Sequence, residues 1–105
     1  MNIDDKEKYI IINCDNLKDL NPLISYLTMN CEYCPHLIIN LLKTNIDKDI
    51  IVSTLSPFYL NWQKRNKSFI LVSKFRKKST VDIISIQSVE EAIDFFHMED
   101  LTRNI

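Results

Sequence analysis

The sequence predicts an α/β layer fold, and three observations carry that expectation. Residues 9–14, 36–42 and 68–73 are short apolar runs, rich in β-branched side chains, with the length and composition of buried strands. Between and after them, apolar residues recur at three- and four-residue spacing, the mark of a helix with one buried face. The order of elements is β, α, β, α, β, β, α, and strands alternating with helices imply a sheet under helical cover.

The elements follow one another in a readable way. Tyr9-Ile10-Ile11-Ile12-Asn13-Cys14 is the first strand, bounded by charged and Asp/Asn residues. Residues 15–20 form a polar connection, after which Asn21 is placed to cap a helix and Pro22 to open it, because proline's fixed φ suits a first helical position. Leu23, Ile24, Leu27 and Cys31 then mark a helix over residues 22–31. Pro35 ends that unit, and His36-Leu37-Ile38-Ile39-Asn40-Leu41-Leu42 reads as a central strand.

After a polar turn at Lys43-Thr44-Asn45, Ile50, Ile51, Thr54, Leu55, Phe58, Tyr59 and Trp62 form a one-sided helical stripe. Pro57 lies inside it, and because the apolar period continues across the proline, a kinked helix is expected rather than a new helix capped by Ser56. Residues 68–73 make the next strand, Lys74-Phe75-Arg76-Lys77-Lys78 a loop or frayed edge, and residues 82–86 a short extended segment. Ser88 followed by Glu91 is a capping box, which starts a last helix with Val89, Ala92, Ile93, Phe96 and Leu101 on its buried face.

Composition narrows the function. The chain has 105 residues, which suits one domain over residues 1–105, since a chain of that size buries roughly two-thirds of its unfolded surface around one core. It contains no glycine. Phosphate-cradling loops, dinucleotide fingerprints and nucleophile elbows are therefore excluded by their own patterns. A net charge of −1 argues against a nucleic-acid partner. The polar start Met1-Asn2-Ile3-Asp4-Asp5-Lys6-Glu7-Lys8 has no signal-peptide pattern, and no apolar run approaches the ~20 residues a bilayer demands. A cytoplasmic protein away from membranes is expected, with its three cysteines reduced.

The C-terminal run Ser88-Val89-Glu90-Glu91-Ala92-Ile93-Asp94-Phe95-Phe96-His97-Met98-Glu99-Asp100-Leu101 resembles the closing helix of STAS domains of the anti-sigma-factor-antagonist type. Asn21-Pro22-Leu23 resembles the start of that family's first helix, and the order of elements agrees over nearly the whole chain. The resemblance implies a mixed sheet of four to five strands with helices packed mainly on one face. It also implies a bacterial regulator that docks rather than turns over substrate, with an anti-sigma factor or a related kinase-like regulator as partner and no cofactor.

In the resembled family the second helix opens on an Asp-Ser-Ser/Thr-Gly-Leu pattern whose first Ser is phosphorylated. Here Lys48-Asp49-Ile50-Ile51-Val52 lies under that pattern, placing Asp49 at the acceptor, and a shift of one residue gives Asp47-Lys48-Asp49-Ile50-Ile51 with Lys48 there instead. Neither alignment leaves a hydroxyl at the acceptor, and neither supplies the glycine. The resemblance thus implies a degenerate switch loop formed by Asp47, Lys48, Asp49, Ile50 and Ser53, in which the Asp49 carboxylate partly resembles a phosphate.

A rival signal is Cys31-Glu32-Tyr33-Cys34-Pro35-His36, since a Cys-x-x-Cys pair at a helix N-terminus can exchange disulfides. A thioredoxin-like oxidoreductase using Cys31 and Cys34 requires residues 23–29 to be a strand and residues 35–43 the active-site helix. The bland alternative makes both cysteines small semi-buried apolar residues. Zinc on Cys31, Cys34 and His36, with His97 or Cys14 as a fourth ligand, is a weaker pattern, and no metal is expected. The basic residues Lys64, Arg65, Lys67, Lys74, Arg76, Lys77 and Lys78 form a solvated face or attract an acidic partner. Phe58, Tyr59 and Trp62 are core residues at helical spacing or a docking hot spot.

Overall fold

A computed structural model describes residues 1–74 and 83–103. Five strands form one mixed sheet in sequential order: β1 (Asn2–Asp5), β2 (Ile10–Asn13), β3 (Leu37–Asn40), β4 (Phe69–Val72) and β5 (Ser85–Ile86). β1 is antiparallel to β2, and β2 through β5 run parallel. The helices are α1 (Leu20–Met29), α2 (Lys48–Lys64) and α3 (Val89–Arg103). This is the α/β architecture expected from the sequence, and it is consistent with a STAS-like sheet.

Alternation along the central strands divides the interior into two layers. Ile12, Leu37, Ile39, Phe69 and Leu71 share one buried cluster with Leu23 and Leu27 of α1 and Ile51, Leu55, Tyr59 and Trp62 of α2. Ile11, Ile38, Ile70 and Val72 point the other way and pack against Ala92 and Phe96 of α3. Two helices therefore lie on one face and one on the other. Both crossovers, β2–α1–β3 and β3–α2–β4, join parallel neighbours taken in the same direction, so the common handedness of such units puts both helices on one side. α3 follows the last strand and is free to close the opposite face.

β1 is an addition to the strands read from the sequence. Its residues are Asn, Ile, Asp and Asp, mostly exposed, and among the described residues it pairs on one side only, with Ile3 opposite Ile12. An edge strand of polar residues carries no apolar pattern, and its charges discourage pairing with other chains.

Helix boundaries moved where capping chemistry competed. A 3₁₀ turn at Leu17–Asp19, capped by the Asn16 side chain accepting the Lys18 N–H, leads into α1, so Asn21 is helical rather than the cap. Pro22 is accommodated because the first-turn N–H groups have no partner inside the helix. α2 runs unbroken through Pro57. Proline removes the N–H that would meet the Ser53 carbonyl, and both residues are exposed, which leaves that carbonyl to solvent. α2 then closes on Asn66 at φ 56°, with the Asn66 N–H bound to Gln63 O and the Lys67 N–H to Trp62 O. These are the paired bonds of a Schellman motif, with asparagine in the left-handed position that glycine usually fills.

α3 begins as expected, the Glu91 N–H donating to Ser88 Oγ at 3.1 Å. Leu101, read as buried, is 70% exposed. The apolar contact of α3 with the sheet centres on Ala92 and Phe96, and its last turns are held by polar groups instead. Ser68, only 1% exposed, donates its hydroxyl to Glu99 Oε1 at 2.9 Å and accepts from Arg103 Nη2 at 2.7 Å. The Ser68 N–H donates to His36 Nδ1 at 3.0 Å, and the His36 ring packs against Phe96 with centroids 5.2 Å apart. Because Nδ1 accepts, the neutral ring carries its proton on Nε2.

Burial, then the Arg103 and Lys67 charges, press the His36 pKa down from 6.5 to about 4. Between those values the unfolded chain binds a proton that the folded chain refuses, so the contribution is complete above about pH 6.5 and is lost as pH falls toward 4. The expected loss is about 1–2 kcal/mol, allowing for solvent that still reaches the ring. Urea midpoints at pH 7 and pH 5 should show this decline in the wild type and a smaller one in His36→Asn, whose Oδ1 can accept the Ser68 N–H without titrating.

Candidate functional site

In parallel sheets of this kind the connections leaving the carboxyl ends of the strands are the usual place for recognition. Here that edge is built by the segment joining β3 to α2. Asn40, the last residue of β3, is fixed on both sides: its Nδ2 donates to Asn13 Oδ1 at 2.9 Å, and its Oδ1 accepts the Leu42 N–H at 3.1 Å. The chain then turns, the Thr44 N–H and hydroxyl both donating to Leu41 O at 3.1 and 2.8 Å. Asp47 caps α2, its Oδ1 accepting the Asp49 N–H at 2.8 Å.

The residues of the expected switch loop therefore come together as a cap and the first turns of a helix. Asp47, Asp49, Ile50 and Ser53 are exposed and Lys48 is half-buried, while Ile51, beside them in sequence, is sunk in the core at 2% exposure. Asp49 sits in the first turn, where the helix dipole favours a negative charge. Ser53, one turn on, donates its hydroxyl to Ile50 O at 3.2 Å. Ile50 leaves an apolar side chain 51% exposed at this position.

Between the β3–α2 connection and the end of β4 lies a cavity of about 290 Å³. Leu41 and Ile51 form its floor, and Asn45, Lys48 and Lys74 stand at its rim. Ser73, just past β4, also reaches it, with its hydroxyl 2.7 Å from that of Ser85. The sequence marks Lys48 in the switch loop and Lys74 among the basic residues read as a solvated face or a draw for an acidic partner, but it does not join the two, and nothing in it marks Asn45 or Ser73. Only the parallel pairing of β3 with β4 brings residues thirty apart to one edge, and nothing local in the sequence marks it.

The cysteine pair occupies the other edge. α1 ends at Met29 and β3 starts at Leu37, so Cys31 and Cys34 follow a helix and precede a strand, the reverse of the thioredoxin-like arrangement. Cys34 is buried at φ 48°, its thiol donating to Cys31 O at 3.1 Å. Asn61 Nδ2 donates to Cys31 O at 2.7 Å and lies 3.5 Å from Cys34 Sγ. Burial raises the Cys34 pKa, the opposite of what a nucleophilic thiolate needs. Cys14 lies past the far end of β2, and burial, with Asp19 nearby, raises its thiol to about 11. Among the described residues no group of His, Cys, Asp or Glu is arranged to hold a metal ion.

Two further expectations resolve. Trp62 and Tyr59 are core residues, Trp62 wholly buried with its Nε1 donating to Pro35 O at 2.7 Å, and Phe58 packs partly buried against the same cluster. The basic residues do not make one face: Lys64, Arg65 and Lys67 precede β4, whereas Lys74 follows it at the opposite edge. Arg76, Lys77 and Lys78 lie outside the described residues. No helix among the described residues is long and apolar enough to cross a membrane. No protein-family model matches the chain, and no curated protein matches it.

The thiols give a direct check on the cysteine geometry. A maleimide at pH 7.5 should modify the half-buried Cys31 first, with Cys14 and Cys34 protected until urea unfolds the chain. For Cys14 the raised pKa alone lowers the thiolate fraction roughly a hundredfold. Peptide mapping by mass spectrometry reads the order.

Proposed function

We propose that the protein is a non-enzymatic binding module, resembling an anti-sigma-factor antagonist, that meets a protein partner through the β3–α2 connection and the first turns of α2. One observation carries the reading: Asp49 and Ile50 stand in the first turn of α2 at the carboxyl edge of the parallel strands, an exposed charge and an exposed apolar side chain on the turn whose Lys48 and Ile51 line a cavity. An apolar anchor next to a charge is the composition of a docking surface.

The resembled family switches such a surface by phosphorylating a serine at the start of this helix. In this chain the corresponding turn offers a carboxylate or an ammonium, so the contact is constitutive or has a different trigger. A phosphate would add roughly −1.5 to −2 charge, whereas Asp49 supplies a single fixed charge with fewer acceptor oxygens. The partner expected from the resemblance is an anti-sigma factor or a related kinase-like regulator.

The test is capture of partners from the native organism by the wild type and by Asp49→Lys, Asp49→Ser and Ile50→Glu, all at exposed positions where the fold should survive. A specifically retained protein should drop at least tenfold with Ile50→Glu and change with the Asp49 variants. A Leu101→Glu control on α3 should keep it. Equal retention by every variant overturns the proposed surface, and stoichiometric phosphate on Ser53 or Thr54 after incubation with a cognate kinase overturns the lost switch.

A further inference from the structure

The cavity beside α2 has a chemistry more specific than its position. Its floor is apolar, with Leu41 and Ile51 buried and Leu42 and Ile46 half-buried. Among the described residues no carboxylate lines it. The nearest in sequence, Asp47, has Oδ1 committed to the Asp49 N–H at the helix cap. Two of its hydroxyls are also committed, that of Thr44 to Leu41 O and that of Ser73 to Ser85 Oγ. What remains for a visitor is the Asn45 amide and the Lys48 and Lys74 ammonium groups, and among the described residues neither lysine forms an ion pair.

The two lysines reach the rim from different elements, one from the first turn of α2 and one from the end of β4. They face the same space. At about 290 Å³ the cavity stands at the low end of small-ligand sites, roughly 300–1,000 Å³, so it suits one or two side chains better than a nucleotide or a large cofactor. Apolar walls under a cationic rim recognise a group that is itself apolar on one side and anionic on the other.

We propose that this cavity seats an acidic residue of the partner together with an adjoining apolar residue, the carboxylate lying between Lys48 and Lys74 and the apolar side chain on Leu41 and Ile51. The inference rests on the binding-module reading and specifies what its partner must present: a short acidic-apolar segment. Exposed Ile50, one residue from Ile51, lies about 100° around the helix from it and is not part of this contact. Charge selects the segment, and burial of the apolar neighbour holds it.

The experiment is a titration of the ¹⁵N-labelled protein with acetyl-Leu-Glu-amide, acetyl-Leu-Gln-amide and acetyl-Leu-Lys-amide, followed by amide chemical shifts. The Glu peptide should move the Lys48, Ile51 and Ser73 resonances and saturate at roughly tenfold lower concentration than the Gln peptide, the discrimination expected of two partly screened ion pairs. In a Lys48→Glu, Lys74→Glu double variant, whose remaining spectrum reports that the fold is kept, the preference should reverse toward the Lys peptide.

Equal binding of the Glu and Gln peptides, shifts confined to another part of the surface, or an unchanged preference in the double variant would overturn the proposal. So would inorganic phosphate binding as tightly as the Glu peptide, since the apolar floor would then contribute nothing. None of these results touches the dependence of partner capture on Ile50, so this inference can fail while the binding-module reading stands.

Discussion

Strand β3 is the constraint on which the rest of the structure depends. Leu37, Ile38 and Ile39 are all fully buried, yet successive side chains on a strand point to opposite faces. A strand apolar on both faces has to be covered on both, and its unpaired backbone has to be covered at both edges as well. β2 and β4 satisfy the edges in parallel register, with Ile11 and Ile70 flanking Ile38. α1 and α2 then cover the Leu37 and Ile39 side, and α3 covers the Ile38 side. The terminal helix is thus required by a run of four residues near the middle of the chain.

That demand also decides where polar chemistry can sit. With the sheet's centre closed on both faces, variation is confined to the two edges where the strands end. At the amino edge of β3 and β4 the polar groups satisfy one another: His36, Ser68, Glu99 and Arg103 form a connected network, and among the described residues no buried side-chain polar atom lacks a hydrogen bond. Such a network fixes the register of α3 on the sheet, because each member is costly to leave unpaired. At the carboxyl edge Asn13 and Asn40 are similarly paired, but the groups beyond them, Lys48 and Lys74, face outward into a cavity.

The strands β2, β3 and β4 were legible because a run of β-branched and apolar residues leaves little alternative, and α2 because its apolar period survives Pro57. β1 was not, since an edge strand written Asn-Ile-Asp-Asp draws its stability from pairing with Ile10–Asn13 rather than from its own side chains. Leu101 misled because, five residues after Phe96, it has rotated away from the sheet-facing side, which in the last turns is taken by Glu99 and Arg103. The Asp47–Ser53 segment was found through a resemblance, and its structure as a capped helix start follows from Asp47. The cavity could not be read, because it exists only where the ends of β3 and β4 meet.

The absence of glycine has a structural consequence as well as a compositional one. Among the described residues, three with side chains occupy the left-handed region, Glu7, Cys34 and Asn66, each at a turn where glycine would be the unstrained choice. Asn66 is the least costly substitute and closes α2 with two backbone bonds. Cys34 accepts the strain inside the core, where its thiol finds Cys31 O and the Asn61 amide braces the turn. At the start of α2 the logic differs. One alignment with the resembled family sets its glycine at Ile51, and here that side chain is buried beneath the cavity while Asp47 supplies the cap. A glycine there would leave a hole under the cavity and loosen the first turn, so the buried Ile51 side chain is what keeps this helix start packed. For the contact proposed at this surface, a packed turn supplies fixed shape and charge, which favours a standing contact over one gated by rearrangement of the loop.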